Sequence, residues 1–126
     1  MSPVLNQYIF ICSVLFAHWV ADFVAQTDEQ AKAKAKDFDA LFAHCSVYAL
    51  IMTLAGAIFT WVPVSLNGLI VFGYGVFLSH ITIDYFTSKL NSYLYGKGQI
   101  HNFFVSVGFD QWLHYVSVFG IIMLLK

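Results

Sequence analysis

Four long apolar stretches alternate with short polar segments along the chain. They cover roughly residues 4–24, 38–62, 64–86 and 103–125. Each holds about 20 residues or more, which is enough for an α-helix to cross the roughly 30 Å hydrocarbon core of a bilayer. We therefore predict an all-α membrane protein, in which residues 1–126 form a single domain built as a bundle of four transmembrane helices.

The segments between these stretches predict different connections. Thr27 and Gln30 have the spacing of a capping box, so we expect a short surface helix within residues 27–36. The sequence Trp61-Val62-Pro63-Val64 predicts a tight turn with its aromatic side chain at the membrane interface. Residues 91–102 are rich in polar residues and glycine, and we expect them to form a loop.

The lysines predict the orientation in the membrane. The first and third connections hold five of the six basic residues: Lys32, Lys34, Lys36, Lys89 and Lys97. Only Lys126 lies on the other side, with both chain ends. Because positive charge is enriched on the cytoplasmic side, both polar connections are predicted to be cytoplasmic and both termini non-cytoplasmic.

Composition supports a membrane protein and argues against nucleic-acid binding. Hydrophobic residues make up 60% of the chain and charged residues 10%, whereas soluble domains average about 25% charged residues. The net charge is −1 and the chain has no arginine, so it lacks the basic field that attracts nucleic acid.

Seven ionisable residues fall inside the predicted spans, where such residues are costly and usually functional. They are His18, Asp22, His44, His80, Asp84, Asp110 and His114. Six of them form three pairs spaced i,i+4, so each pair shares one helix face. At about 1.5 Å per residue, all seven lie roughly 5–15 Å inside the predicted cytoplasmic boundary. A four-helix bundle would therefore bring them to one layer.

A divalent metal ion would explain this constellation. Three carboxylates close together in an apolar interior repel each other, and a cation removes that cost. Imidazole and carboxylate groups are ligands for Zn²⁺, Mn²⁺ and Fe²⁺, and we expect zinc first. Seven candidate ligands exceed the four that one zinc ion needs, so the sequence is consistent with either one bound ion or two. The alternatives are a proton or ion pathway and a hydrogen-bonded network that only holds the helices together.

Residues beside these seven are expected to serve local bonding and packing. We predict bonds within their own helices, rather than support of the site, for Ser79, Thr82 and Gln111. We predict close helix–helix contact at Gly56, Gly73, Gly75 and Gly120.

Three motifs resemble those of a bacterial and phage membrane family, domain of unknown function 3307. They are His18-Trp19-Val20-Ala21-Asp22-Phe23-Val24-Ala25-Gln26-Thr27-Asp28, Leu78-Ser79-His80-Ile81-Thr82-Ile83-Asp84-Tyr85 and Asp110-Gln111-Trp112-Leu113-His114. The pattern is also similar to that of LexA-regulated inner-membrane proteins described as metal-dependent hydrolases. The resemblance implies a multi-pass protein of a bacterial inner membrane, or a phage protein placed there.

The leading functional hypothesis is a membrane-embedded metal-dependent hydrolase. All seven residues would supply metal ligands and a general base, with Asp22, Asp84 and Asp110 as the catalytic carboxylates. The depth of the site predicts a lipid or lipid-linked substrate. One alternative is a non-catalytic protein, stapled by its metal, that binds another membrane protein or a second copy of itself. A metal or proton transporter is less favoured, because the outer halves of the spans are nearly free of polar residues.

Overall fold

The structure is a computed structural model that describes all residues from Met1 to Lys126 and contains five α-helices. The helices are α1 (Pro3–Trp19), α2 (Asp28–Ala33), α3 (Phe38–Ile58), α4 (Leu66–Gly96) and α5 (Ile100–Leu125). A π-helix, Val20–Val24, continues α1 without a break. The four long helical segments, counting α1 with its π-helix as one, are long and apolar enough to cross a membrane. The predicted all-α architecture is confirmed.

Short polar side chains fix the helix starts. Ser2, Thr27, Asp37 and Ser65 each accept a backbone N–H from the first turn of the helix that follows. At α2, the side chain of Gln30 also accepts the backbone N–H of Thr27, which completes the predicted capping box. The surface helix after the first span is therefore confirmed.

The predicted loop at residues 91–102 is wrong. Helix α4 continues to Gly96, and α5 begins at Ile100 after a three-residue turn. Polar residues lower hydropathy without breaking a helix; the chain turns where Gly98 adopts a φ of 69°. The α4–α5 hairpin thus continues about ten residues beyond residue 86, the predicted end of the third span, or about 15 Å.

The depth predicted for Trp61 relative to a membrane stays a prediction, but its side chain is buried inside the bundle. Trp61 is 1% exposed, and its indole N–H donates to the Ser13 hydroxyl oxygen at 2.9 Å. Its ring lies edge-on to Phe72, with 6.4 Å between the ring centres. The turn between α3 and α4 folds this side chain under the end of the bundle, so Trp61 closes the core at this end.

The bundle is apolar outside and partly polar inside. Most large apolar side chains are exposed, whereas eleven of the 27 buried residues are polar or charged. The apolar core, which includes Val14, Met52, Phe72, Val118 and Ile122, packs beside the polar residues. An apolar outer surface suits lipid as the surroundings, and the four long helices suggest a membrane protein.

Close helix packing at glycine is confirmed at three of the four predicted positions. A Cβ atom would meet the Phe72 ring at Gly56, the Thr53 hydroxyl at Gly73, and Ile121 at Gly75. At Gly120 a Cβ atom would meet nothing within 4 Å, so that prediction is wrong.

Alanine substitutions at two helical glycines should therefore have opposite effects. Gly73→Ala places a Cβ 2.7 Å from Thr53 Oγ1 and should lower the thermal unfolding midpoint in detergent. Gly120→Ala enters open space and should keep or raise the midpoint, since alanine favours a helix by up to about 1 kcal/mol over glycine. Equal shifts in the two variants would contradict this packing.

Candidate metal centre

All seven ionisable residues predicted from the sequence lie in one buried cluster. Their exposed fractions are at most 1% for His18, His44, His80 and His114, and at most 7% for Asp22, Asp84 and Asp110. Four helical segments contribute: α1 with its π-helix, α3, α4 and α5. The cluster joins residues separated by up to 96 positions in the sequence.

The π-helix sets the position of Asp22. Its widened turn is marked by the bond from the Ala25 N–H to the Val20 carbonyl oxygen, five residues back, at 2.9 Å. Single π turns inside α-helices occur frequently at functional sites. Here the turn lets Asp22 present Oδ1 to histidines of α3 and α4, while Oδ2 faces α5.

Four ligand atoms converge on one point. Asp22 Oδ1, His44 Nε2, His80 Nε2 and Asp84 Oδ2 come from three helical segments. Five of their six mutual separations are 3.1, 3.1, 3.4, 3.4 and 3.7 Å. A tetrahedral ion with bonds of about 2.0–2.2 Å would hold its ligands about 3.3–3.6 Å apart. The four residues are thus positioned to hold a metal ion.

Hydrogen bonds alone do not account for this group. His44 Nε2 lies 3.1 Å from Asp22 Oδ1, 3.1 Å from His80 Nε2 and 3.4 Å from Asp84 Oδ2. One ring N–H points at only one of these atoms, and the remaining lone pairs face each other. A cation at the centre would satisfy all four atoms together.

His80 is held mainly by ring stacking. Its ring lies 3.7 Å from the Tyr48 ring, nearly parallel at 14°, and 4.2 Å from the His114 ring. Its Nδ1 is buried without a hydrogen-bond partner. A ligating histidine usually donates this second N–H to an acceptor, so His80 departs from that pattern and depends on packing for its orientation.

A second group adjoins the first and shares a residue with it. Asp22, Asp110 and His114 also place one ligand atom each within 4.8 Å of the others. His114 Nε2 lies 3.0 Å from Asp84 Oδ1 and 3.4 Å from Asp110 Oδ1. Because Asp22 belongs to both groups and His114 contacts Asp84, the two form one continuous arrangement.

His18 supports the cluster instead of joining either group. Its Nε2 lies 2.8 Å from Gln111 Oε1, and its Nδ1 lies 2.8 Å from the Tyr48 hydroxyl. The Gln111 oxygen only accepts, so Nε2 carries the proton and Nδ1 accepts from Tyr48. Both ring nitrogens therefore have partners within the protein.

Gln111 is a site residue that the sequence analysis assigned wrongly. Its amide N–H groups donate to Asp22 Oδ2 at 2.9 Å and to Asp110 Oδ2 at 3.1 Å. It therefore links α5 to the π-helix, and within α5 it bonds only the adjacent Asp110 carboxylate and no backbone carbonyl. Ser79 and Thr82 do bond carbonyl oxygens of their own helix, as predicted.

Tyr48 and Thr87 also contact the cluster, at His18 and Asp110, and were not predicted from the sequence. Thr87 donates its hydroxyl to Asp110 Oδ1 and also contacts a carbonyl of its own helix. Their spacing could have predicted this position. Tyr48 follows His44 by four residues and Thr87 follows Asp84 by three, so each lies on the same helix face as a residue of the cluster.

Lys34 is the least expected member of the site. From the end of α2 its Nζ reaches Asp84 Oδ2 at 2.8 Å, with 18% of its side chain exposed. Burial alone would lower the pKa of Lys34, but the carboxylates of Asp84, Asp22 and Asp110 outweigh burial and raise that pKa. The ammonium group is therefore charged, and it neutralises one carboxylate of the cluster.

A cavity of about 700 Å³ opens beside the cluster. It lies between the α2 segment and the extended α4–α5 hairpin, and Asp22, Asp110 and Gln111 line its side nearest the cluster. Its volume falls within the range of about 300–1,000 Å³ that is usual for small-molecule sites. The arrangement thus combines a set of metal-ligand atoms with space for a ligand.

Comparison with known proteins identifies a family and nothing closer. No curated protein and no solved structure shows significant similarity to the chain. A family model described as a protein of unknown function matches residues 9–126, which include all seven clustered residues and the three sequence motifs. The chain therefore belongs to this family of proteins of unknown function, DUF3307.

Proposed function

We propose that the protein is a membrane-embedded, metal-dependent hydrolase that acts on a lipid or lipid-linked substrate. The observation that carries the proposal is the convergence of four ligand atoms, from Asp22, His44, His80 and Asp84, at separations suited to a tetrahedral ion. A second observation supports catalysis: the cavity beside this group gives a substrate access to it.

Zinc is the favoured ion. Two imidazole nitrogens and two carboxylate oxygens at these separations suit zinc, and the same donor set also accepts manganese or iron. A second ion, if present, would use Asp22, Asp110 and His114.

Asp110 is the proposed general base. A divalent ion here would polarise the substrate and activate water for attack. Asp110 lines the cavity and lies outside the four-atom group, so its carboxylate faces the side from which substrate arrives. The Thr87 hydroxyl and the Gln111 amide hold the two carboxylate oxygens in place. A proton acceptor fixed in this way is what a hydrolytic step requires.

The location of the cavity supports a lipid substrate. It lies at the end of the bundle between the α2 segment and the α4–α5 hairpin, and Phe23, Phe103 and Val107 contribute apolar walls. The lysines of α2 and of the α4–α5 hairpin favour the cytoplasmic side of a bacterial inner membrane for this end. A substrate with an apolar chain and a polar head would fit such a place.

A purely structural ion is the second candidate. Its support is that the four ligands come from three helical segments, so one ion would cross-link most of the bundle. In that case the protein would act by binding another membrane protein or a second copy of itself. A transport role has less support, because Val14, Met52, Phe72, Val118 and Ile122 pack the rest of the interior and offer ions no polar route.

Metal content tests the site itself. Protein purified in detergent without a histidine tag should contain close to one or two equivalents of zinc, manganese or iron by mass spectrometry. His80→Ala and Asp84→Ala should lose most of it, because each removes one of four converging ligands. The matched controls are His101→Ala and Asp39→Ala, which change exposed residues outside the cluster. If the wild-type protein stays metal-free after ions are added back, the cluster is a hydrogen-bonded network and the metal-site proposal fails.

Asp110→Asn separates a catalytic from a structural ion. The variant keeps the size of the side chain and should retain the ion held by the four-atom group, which does not include Asp110. Turnover of ester- and phosphoester-linked lipids should fall about 100-fold or more. Asp39→Asn, at an exposed position in α3, should keep full activity. If metal-loaded wild type hydrolyses no lipid, and the ligand variants change only the thermal midpoint, the ion is structural and the hydrolase proposal fails.

A further inference from the structure

The cavity beside the cluster contains polar atoms that nothing in the protein satisfies. Ser88 Oγ, Asn91 Oδ1 and Gln26 Oε1 are buried and have no hydrogen-bond partner, and all three residues line the cavity. Ser88 itself is only 7% exposed. Unpaired buried polar atoms are uncommon and costly, so three of them around one cavity indicate a polar ligand.

The charges around the cavity indicate the sign of that ligand. The walls carry Lys32, Lys34 and Lys36 together with Asp22 and Asp110, and Lys34 also contacts the Asp84 carboxylate behind the wall. With neutral histidines, three positive charges balance three negative ones. A divalent ion would leave an excess of two positive charges, so the loaded site favours an anion.

Lys34 connects the metal group to the cavity. Its ammonium lies on Asp84 Oδ2, the same oxygen that belongs to the four-atom group. A metal ion bound to that oxygen and the ammonium would repel each other at close range. The freed lysine has the cavity beside it, because Lys34 already lines the wall there.

We propose that this cavity binds the phosphate group of a lipid headgroup, and that Lys34 moves from Asp84 to the phosphate when metal binds. The inference rests on the proposed function and names the substrate class of the same site. Lysine recognises phosphate as a point charge, and the unpaired Ser88 hydroxyl can donate a hydrogen bond to a phosphate oxygen. The unpaired amide oxygens of Asn91 and Gln26 only accept, so they would take hydrogen bonds from hydroxyl or ammonium groups of the headgroup and not from the phosphate oxygens. Phe23 and Phe103 would contact the adjoining apolar chain.

Short-chain lipids in detergent test the ligand. Wild-type protein in a maltoside detergent is stripped with a chelator and reloaded with zinc. Binding of dioctanoyl phosphatidic acid, dioctanoylglycerol and inorganic phosphate is then measured by calorimetry. The zinc-loaded protein should bind phosphatidic acid at least about tenfold more tightly than the stripped protein and than dioctanoylglycerol, because one charge-assisted contact contributes that much.

Lys34→Gln tests the exchange through two readouts that move in opposite directions. Loss of the ammonium should weaken phosphatidic acid binding about tenfold or more. The same loss should tighten zinc binding, measured by competition with a chromophoric chelator, because Asp84 no longer carries a competing cation. Simple damage to the fold would weaken both. Lys34→Arg should restore lipid binding, and Lys97→Gln, which removes a positive charge outside the cavity, should change neither.

The outcomes separate this inference from the proposed function. The inference is overturned if zinc-loaded protein does not bind phosphatidic acid, or binds dioctanoylglycerol equally well. Either result would not contradict the metal site. Equal affinity for inorganic phosphate overturns the lipid assignment. Unchanged or weaker zinc binding in Lys34→Gln overturns the exchange. If the wild type binds neither zinc nor manganese nor iron, the proposed function fails and this inference fails with it.

Discussion

The structure depends on neutralising three carboxylates inside an apolar bundle. Asp22, Asp84 and Asp110 are at most 7% exposed, and a buried charge without a partner is among the most costly features a fold can contain. Lys34 supplies one ammonium group, and hydrogen bonds from Gln111 and Thr87 stabilise two of the three carboxylates. Only one full positive charge is therefore built into the cluster, and a divalent ion would complete the balance.

The bundle separates its buried polar residues from a closely packed apolar core. Apolar residues such as Val14, Met52 and Phe72 pack the interior beside the clustered histidines and aspartates, and Trp61 closes the end of that core. The polar half has a cavity beside it, whereas the apolar half is closely packed. Glycine contacts such as Gly73 against Thr53 let the helices approach closely in the apolar half.

The sequence predicts which ionisable residues cluster, because their positions along the chain follow from helix geometry alone. Residues spaced i,i+4, such as His80 and Asp84, share a face in any helix, and burial in lipid forces that face inward. The contact of Lys34 with Asp84 could not be predicted in this way, because it depends on where α2 lies against the bundle. A lysine in a polar linker is otherwise expected at the surface. The extension of α4 to Gly96 was missed for a related reason: hydropathy measures preference for lipid, and a helix continues into water whenever no residue stops it.

The number of ligands on the ion, more than the location of the site, would decide between a catalytic and a structural metal site. Asp22, His44, His80 and Asp84 would fill all four positions of a tetrahedral zinc ion, as structural zinc sites do, whereas catalytic sites keep a position open. Zinc can expand to five ligands, and manganese accepts six, so the same four residues would then leave room on the side where Asp22 lines the cavity. Asp84 is the residue for which an ion and the Lys34 ammonium would compete, because Lys34 lies on its Oδ2. If the ion displaces Lys34 to the phosphate, as proposed, Asp84 would stay on the ion, and catalysis would then depend on a fifth or sixth coordination position that faces the cavity.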